Sequence, residues 1–379
     1  MSHSKHSERS HFDGTPDAAP PPATTTTYVI ITGGNAGLGF STADSLLSTA
    51  TPAQHRFHIT LACRNEEKAK DAVRKLRDTH PLLADFVESM KLDLADLGSV
   101  KKFAEEYEGK GYPLHLLLNN GGIYPSSKTP VIIDVQAPNV SNVAVAEGST
   151  PTKTTRLEQT FATNYLGHFY LTTLLLPLLK RTARERGKTT RIVNVSSELH
   201  RFAPSVDFTN LDYSKDPTAY SIRGSYATSK LAMMYETIFL AGWIPPLSPK
   251  MSDHPPINDA GVPAASPKGP PLVSINSCTP GFVPTTQMGN DNSRFNAFMS
   301  NHILTWLPFA RTIEQGTRCI VLCATSPLTG EGSGHYMKDC KACEPAKTYW
   351  DDSKWGECWR WSCEACGLDP DETLEMVES

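Results

Sequence analysis

The chain has 379 residues, enough for one large domain or two ordinary ones. Its apolar content of 39% and charged content of 20% are typical of a soluble globular protein. With 36 basic and 40 acidic residues the formal net charge is −4, and no basic block favours binding to nucleic acid or to an anionic membrane. No secretory signal is recognised at the start, and the longest apolar stretch, residues 165–179, is shorter than the ~20 residues of a membrane span. We therefore expect a cytoplasmic protein whose nine cysteines are mostly reduced.

Residues 1–27 are polar and rich in Ser, Pro and Thr, and we expect a disordered tail there. From residue 28 onward, short β-branched runs alternate with longer helical patterns. The predicted strands are 28–32, 57–62, 90–92, 114–118, 191–195 and 272–277, and the predicted helices are 37–48, 66–79, 161–186 and 226–241. This alternation predicts an α/β fold, a Rossmann-type doubly wound parallel sheet flanked by helices.

Two polar segments, 125–156 and the proline-rich 242–271, interrupt the pattern. Because the alternation resumes after each, we interpret both as surface insertions in a single domain, residues 28–335. Residues 336–379 form a C-terminal tail. Its helix carries apolar side chains at helical spacing and is expected to pack on the domain.

A glycine-rich turn follows the first predicted strand and opens a helix, with the sequence TGGNAGLG at residues 32–39. Glycines let the backbone turn tightly and approach a pyrophosphate, and the helix N-terminus offers free N–H groups and a positive dipole end. The alternative is a turn with no ligand. The predicted cofactor contacts here are Gly33, Asn35, Gly37, Leu38 and Gly39.

The residue after the second predicted strand indicates which dinucleotide binds. An NAD site usually places a carboxylate there to bind the ribose 2′-hydroxyl, but this chain has Arg64. A guanidinium pairs with a 2′-phosphate in a fork, whereas a carboxylate repels it. We therefore predict NADP(H) over NAD(H). The alternative is an ordinary solvated arginine.

Tyr226 and Lys230 are four residues apart and so lie on one face of a helix. A tyrosine hydroxyl has a reference pKa of about 10, and a nearby ammonium lowers it toward the range useful for proton transfer. Ser197 follows a predicted strand end, where ligands of parallel sheets bind, and Asn164 lies in an otherwise apolar helix. Taken singly, these residues are also explained by a surface pair, a turn serine and an asparagine bonded to backbone.

Together these residues resemble the short-chain dehydrogenase/reductase superfamily over roughly residues 28–334. The motifs that carry the resemblance are the turn at 32–39, the acidic motif at 92–94, the NNGG at 119–122, Asn164, Ser197, Tyr226, Lys230 and the segment 280–285.

The resemblance implies a role for each matching residue. Tyr226 is the general acid in reduction and the base in oxidation, while Ser197 orients the carbonyl. Lys230 lowers the tyrosine pKa and holds ribose, and Asn164 supports a water relay. Asp93 meets the adenine amino group. The residues that line the ribose and carboxamide are Asn120, Val283 and Thr285.

The segments 61–65, 164–169 and 194–197 are similar to the retinol dehydrogenase and protochlorophyllide reductase-like branch, and the tail is similar to its fungal members. Family dimers often pack the Asn164 and Tyr226 helices against a partner. A monomer or a homodimer is therefore expected, and the insertion at 242–271 could change the oligomeric state. We interpret His168 and His200 as structural.

Four tail cysteines, Cys340, Cys343, Cys363 and Cys366, have the spacing of a zinc ribbon. The second pair falls in a predicted helix that ends at Gly367, so we favour packing over metal binding and expect no metal site.

The expected function is NADPH-dependent hydride transfer between nicotinamide and a carbonyl or alcohol of a small lipophilic molecule, in secondary metabolism. The same scaffold also supports C=C reduction, epimerisation or dehydration, or a module that binds NADP(H) without turnover. Apolar residues between 295 and 309 favour a lipophilic substrate, although they also suit a core helix.

Overall fold

The computed structural model describes residues 25–51, 53–138, 153–247, 270–284 and 310–379. Its main sheet has eight strands in the order β3-β2-β1-β4-β7-β8-β9-β10, all parallel except the short edge strand β10. This arrangement confirms the predicted Rossmann-type sheet, with the chain returning to the sheet centre between β3 and β4.

The strands of the main sheet are β1 (Thr25–Thr32), β2 (His55–Cys63), β3 (Val87–Lys91), β4 (Leu116–Asn119), β7 (Thr190–Val195), β8 (Val273–Thr279), β9 (Tyr336–Lys338) and β10 (Lys341–Ala342). A separate antiparallel pair consists of β5 (Ile132–Gln136) and β6 (Thr154–Glu158).

The helices are α1 (Gly37–Thr49), α2 (Glu66–Thr79), α3 (Leu97–Gly109), α4 (Gln159–Phe161), α5 (Gly167–Arg186), α6 (Ile222–Trp243), α7 (Ile313–Thr325), α8 (Pro327–Glu331), α9 (Asp352–Ala365) and α10 (Pro370–Glu378). One π-helical turn, Ala162–Leu166, joins α4 to α5. Short 3₁₀ turns cover Pro81–Phe86, Glu198–Phe202, Pro217–Ala219 and Lys347–Trp350.

Strand alternation divides the core into two apolar layers. In β1, Ile30 faces the layer made with α3, α5 and α6, while Val29 and Ile31 face the layer made with α1, α2 and α7. Burial on both faces explains why the central strands read as continuous apolar runs.

The first strand begins earlier than predicted. Thr25, Thr26 and Thr27 pair in register with β2, so the expected disordered tail does not reach residue 27. These threonines look like tail in the sequence, but β-branched side chains suit a strand once a partner is present. Residues 1–24 lie outside the described residues.

The segment interpreted as the first insertion, 125–156, contains a strand and most of its partner, since β5 and β6 pair as an antiparallel ladder. Residues 139–152 lie outside the description, and so do residues 248–269 of the second insertion.

The C-terminal segment belongs to the folded domain more fully than predicted. Strand β9 pairs with β8, so the main sheet continues past the boundary placed at residue 335. The ring of Trp359 on α9 stacks on Phe239 of α6 at 4.9 Å between centroids and packs edge-on against Phe169 of α5 at 5.5 Å. Lys180 of α5 donates to the carbonyls of Met376 and Val377 at the end of α10, at 2.6 and 3.1 Å.

Candidate active site

The turn after β1 requires glycine at two points. Gly33 has φ of +66°, and a Cβ built there would lie 2.8 Å from the Cα of Gly121. A Cβ on Gly39 would lie 2.6 Å from the carbonyl oxygen of Gly33. Since real Cβ atoms do not approach that closely, these positions hold the turn against the NNGG loop and leave its outer side open.

The open side of this turn forms one end of a cleft of about 450 Å³. Helix α1 begins there, and its N-cap residue Ala36 offers no side-chain acceptor to the first N–H groups of the helix. Uncapped N–H groups and the positive end of the helix dipole suit an anion such as a pyrophosphate. The turn residues that line the cleft are Gly33, Asn35, Gly37 and Leu38, whereas Gly39 packs behind them.

Two cations, Arg64 and Lys68, line the cleft where β2 ends and α2 begins. Asn65 caps α2 by accepting a hydrogen bond from the backbone N–H of Lys68 at 2.9 Å. The neighbouring Glu66 lies 3.3 Å from Lys91. In the described ranges, neither Arg64 nor Lys68 has an acidic partner within ion-pair distance. Sequence reasoning found Arg64 and missed Lys68, although the four-residue spacing at a helix start could have signalled it.

Asp93 and Asn120 also line the cleft, as predicted for cofactor contacts. Asp93 accepts from the backbone N–H of Ala95 at 3.0 Å. The amide of Asn120 donates to the carbonyl of Thr32 at 2.9 Å, so its side chain ties the NNGG loop to the end of β1. The Asn120 side chain therefore holds the NNGG loop to the end of β1 and also forms part of the cleft wall.

Tyr226 and Lys230 lie at the other end of the cleft on α6, and both are buried, at 5% and 2% exposure. Burial raises the pKa of the Tyr226 phenol above its ordinary value, and a hydrogen bond with the Ser197 hydroxyl offsets part of that rise. The expected lowering of this pKa by Lys230 stays a prediction. The ammonium donates to the carbonyl of Val195 at 2.7 Å and lies 5.9 Å from the Tyr226 ring centroid. Burial lowers the pKa of Lys230 to about 8.

Asn164 lies in the π-helical turn, a rare backbone form often found at functional sites. Its side-chain oxygen accepts from the N–H of Ile123 at 2.8 Å, and its amide donates to the Ile123 carbonyl at 2.9 Å and to the Ser229 hydroxyl at 3.2 Å. The side chain therefore fixes the loop after β4 against α6. Its predicted part in a water relay stays a prediction.

Comparison with known proteins now adds to this geometry. The short chain dehydrogenase family matches residues 27–209. Human polyprenol dehydrogenase is 30% identical over 341 residues, which cover 89% of this chain and 84% of the relative. The chain belongs to the short-chain dehydrogenase family. The WW domain-containing oxidoreductase of Gallus gallus is 33% identical over 83% of this chain and 62% of its own length.

Among solved structures, the Pseudomonas aeruginosa RhlG/NADP active-site complex superposes with a TM-score of 0.52 at 17% identity, covering 87% of this chain and all of that one. This likeness is one of fold. The predicted superfamily is confirmed, while the narrower retinol dehydrogenase and protochlorophyllide reductase-like branch stays a prediction.

Both histidines that sequence reasoning interpreted as structural have buried hydrogen-bond partners in this short-chain dehydrogenase. His168 joins Thr32 Oγ1 to the carbonyl of Asn164, at 2.9 Å each, and burial lowers its pKa to about 3. His200 bonds the Ser197 carbonyl at 2.6 Å through Nδ1 and accepts from the N–H of Ala346 at 3.1 Å. Each ring therefore hydrogen-bonds the backbone of a candidate site residue, Asn164 for His168 and Ser197 for His200.

The predicted contact of Val283 with the nicotinamide side of the cofactor stays a prediction. The Val283 side chain is buried in the apolar layer with Leu38, so closely under α7 that a Cβ on Gly316 would meet it at 2.8 Å. The cleft wall in this region is formed by Pro280. Thr285, predicted beside it, lies outside the described residues, as does the apolar segment 295–309.

An aromatic wall that sequence reasoning missed stands beside Tyr226. The ring of Tyr124 lies 5.0 Å from the ring of Tyr226 at a tilt of 56°. Tyr220 donates to the carbonyl of Ser127 at 3.0 Å, which fixes the loop that carries Tyr124 against the segment before α6. These residues and Val131 line the cleft on the side away from Arg64. No sequence motif marks this wall, because it forms where two distant loops meet.

The four tail cysteines lie in two different settings. Cys340 and Cys343 flank the edge strand β10, whereas Cys363 and Cys366 are buried in and just after α9. Within the described ranges, no group of three or more His, Cys, Asp or Glu side chains is arranged to hold a metal ion. Likewise, no helix in the described part of the chain is long and apolar enough to cross a membrane.

Proposed function

We propose that this chain is an NADP(H)-dependent oxidoreductase that moves hydride between the nicotinamide and a carbonyl or alcohol of a small lipophilic substrate. The observation that carries the proposal is that the buried Tyr226 phenol, with the Ser197 hydroxyl beside it, lines the same cleft as an uncapped helix start. In a dinucleotide the pyrophosphate lies between the adenosine and the reacting nicotinamide ring. The helix start would bind the pyrophosphate, and Tyr226 and Lys230 line the same cleft on the nicotinamide side.

The cations at the end of β2 support NADP(H) over NAD(H). Arg64 and Lys68 line the cleft together with Asn65, whereas the carboxylates of Glu66 and Glu67 are not among its lining residues. Two cations attract the additional phosphate of NADP(H), and Arg64 pairs with it in a fork. The glycine turn would hold the pyrophosphate, Asp93 the adenine, and Lys230 the nicotinamide ribose.

When bound, NADPH supplies the hydride that adds to the carbonyl carbon of the substrate. Ser197 and Tyr226 hold the carbonyl oxygen, and Tyr226 donates its proton to the oxygen as charge develops there. Because burial raises the pKa of Tyr226, the phenol stays protonated at neutral pH. The protonated phenol is the form that donates the proton when the carbonyl is reduced.

The aromatic wall favours an apolar substrate. Tyr124, Tyr220 and Val131 border the space beside Tyr226, and aromatic faces bind apolar groups. The name of the human relative, polyprenol dehydrogenase, indicates a lipophilic alcohol for that protein, which supports the same substrate class here. Secondary metabolism and a cytoplasmic location remain predictions.

We also propose a monomer rather than a homodimer. The resemblance implies dimers that pack the helices equivalent to α5 and α6 against a partner. In this chain α9 packs on both helices, and α10 is bonded to α5.

The test is NADPH oxidation with a panel of ketones, aldehydes and quinones, using wild type, Tyr226→Phe and Tyr235→Phe. Loss of the general acid should reduce turnover by about 10²- to 10⁴-fold. Tyr235 is the matched control, because its hydroxyl lies on the same helix but bonds the Thr348 carbonyl outside the cleft.

Equal turnover of Tyr226→Phe and wild type would refute the proton-transfer role. If NADPH binds and no panel member is reduced, the same-scaffold chemistries of C=C reduction, epimerisation or dehydration, or binding without turnover, take the place of the proposal.

A further inference from the structure

An exposed cation–aromatic pair links α6 to the 3₁₀ turn that follows Ser197. The guanidinium carbon of Arg223 is 3.4 Å from the centroid of the Phe202 ring. The Phe202 side chain is 58% exposed, and Arg223 is exposed as well. An exposed stacked pair of this kind contributes little to the stability of the fold, so stability alone gives a weak reason for it.

Both members of the pair stand close in sequence to a catalytic hydroxyl. Phe202 ends the 3₁₀ turn Glu198–Phe202 that begins directly after Ser197. Arg223 precedes Tyr226 by three residues on α6, and residues three apart lie on the same helix face. The pair therefore joins the two elements that carry Ser197 and Tyr226.

The charge of Arg223 also reaches the cleft itself. Burial raises the pKa of Tyr124, and the positive charge of Arg223 acts in the opposite direction and lowers it. The Tyr124 ring packs on the Tyr226 ring at 5.0 Å between centroids. A group bound next to these rings therefore experiences the field of Arg223.

Arg223 differs from the arginine nearest to it on the 3₁₀ turn. Arg201 lies 3.5 Å from Glu198 and donates to the Glu344 carbonyl. In the part of the chain that the structure describes, no carboxylate lies within ion-pair distance of Arg223. Stacking on a ring occupies the face of a guanidinium and leaves its N–H edge available for a bidentate anion.

We propose that Arg223 recognises an anionic group, a carboxylate or a phosphate, on the substrate. The substrate class is then an apolar carbonyl compound with an acidic end, whose carbonyl lies at Tyr226 while its charge pairs with Arg223. Phe202 holds the guanidinium in place. This inference rests on the proposed function, since it assigns a substrate class to the same site.

The first test compares two aldehydes that differ at one group, 4-carboxybenzaldehyde with its carboxylate and methyl 4-formylbenzoate with the uncharged methyl ester. The kcat/KM with NADPH is measured for wild type, Arg223→Gln, Arg223→Lys and Arg201→Gln. Wild type should prefer the carboxylate about tenfold, the size expected of one charge-assisted pair at a partly solvated site. Arg223→Gln should lose the preference, Arg223→Lys should keep part of it, and Arg201→Gln should keep nearly all of it.

The second test needs no turnover. Benzoate, phenyl phosphate and benzyl alcohol are titrated calorimetrically into the NADPH complex of wild type and of Arg223→Gln. Tighter binding of either anion to wild type than to the variant, with benzyl alcohol unchanged, supports the proposal, and the stronger anion identifies the acidic group. If neither aldehyde is reduced but an anion binds through Arg223, the proposed function fails and the inference stands. The inference is overturned if each anion binds wild type and Arg223→Gln equally. It is also overturned if, in the first test, Arg223→Gln and Arg201→Gln lose the preference for the carboxylate aldehyde to the same extent.

Discussion

The glutamate buried on α6, Glu236, should make the folded chain less stable as the pH rises through neutrality. Its side chain is only 3% exposed, and neither carboxyl oxygen has a hydrogen bond of good geometry within the described ranges. Burial raises its pKa to about 8, and the nearby Thr172 hydroxyl offsets only a little of that rise. The groups whose pKa the Glu236 charge raises in turn include Tyr165, Cys358 and Cys366. All three stay neutral near pH 7, so none supplies a compensating positive charge.

The size of the effect follows from the difference between the folded and unfolded pKa. The unfolded carboxyl has a pKa of about 4.5 and the folded one about 8. Below pH 4.5 the group is protonated in both states and costs nothing. Above that value the unfolded state gains stability by ionising, and the folded state does not follow until pH 8. Each pKa unit is worth about 1.4 kcal/mol, so the cost at pH 7 is about 3 kcal/mol.

Glu236→Gln removes the ionisation and keeps the shape. The free energy of unfolding of both proteins is measured by urea denaturation from pH 5 to pH 8. Across that range the value for wild type should fall by about 3 kcal/mol more than the value for the variant. Parallel curves for the two proteins over this range would refute the reasoning.

Glu158 provides the matched control, because it is equally buried but fully bonded. Its carboxylate accepts from Thr160 N at 2.9 Å, Thr160 Oγ1 at 2.8 Å, Phe161 N at 3.2 Å and Ser225 Oγ at 2.6 Å. Glu158→Gln places an amide donor against these donors and should destabilise the chain by about 1–3 kcal/mol at pH 7.

Two further predictions concern the cofactor cations and the thiols. Lys68→Ala and Arg64→Ala should each lower kcat/KM for NADPH about tenfold and leave that for NADH nearly unchanged, since only the former has the 2′-phosphate; equal losses with both cofactors would contradict the assignment. Thiol titration of the native protein should label Cys343 rapidly and Cys340 more slowly, because these are the two cysteines that are not buried, while all nine should react after denaturation. Rapid labelling of a third thiol, or zinc release on denaturation, would contradict this arrangement.

Elements with a local signal were predicted well. Helix α2 was predicted at its actual bounds, since Asn65 caps its start and its buried residues recur at helical spacing. The turn between β1 and α1 was found because its glycines are required by contacts made within a few residues and by the loop after β4. The order of Asn164, Ser197, Tyr226 and Lys230 identified the site because each follows or lies within an element that could be located.

What the sequence could not supply depends on contacts between distant segments. Strand β5 pairs with β6 across 17 intervening residues, and the wall at Tyr124 needs two loops to meet. The position of the Lys230 side chain was not predictable for a similar reason. Its ammonium is positioned by the carbonyl of Val195, 35 residues away, which no spacing rule reveals.

The π-helical turn connects the C-terminal segment to the candidate site. Asn164 and Tyr165 are neighbours in this turn, and their side chains have different partners. Asn164 bonds the loop after β4, while the Tyr165 hydroxyl lies 2.7 Å from Ser362 Oγ and 3.0 Å from Cys358 Sγ on α9. A buried hydroxyl with two partners is costly to move. Helix α9 therefore fixes the turn from behind and so fixes the direction of the Asn164 side chain. The segment interpreted from its sequence as a tail is one of the elements that position the site.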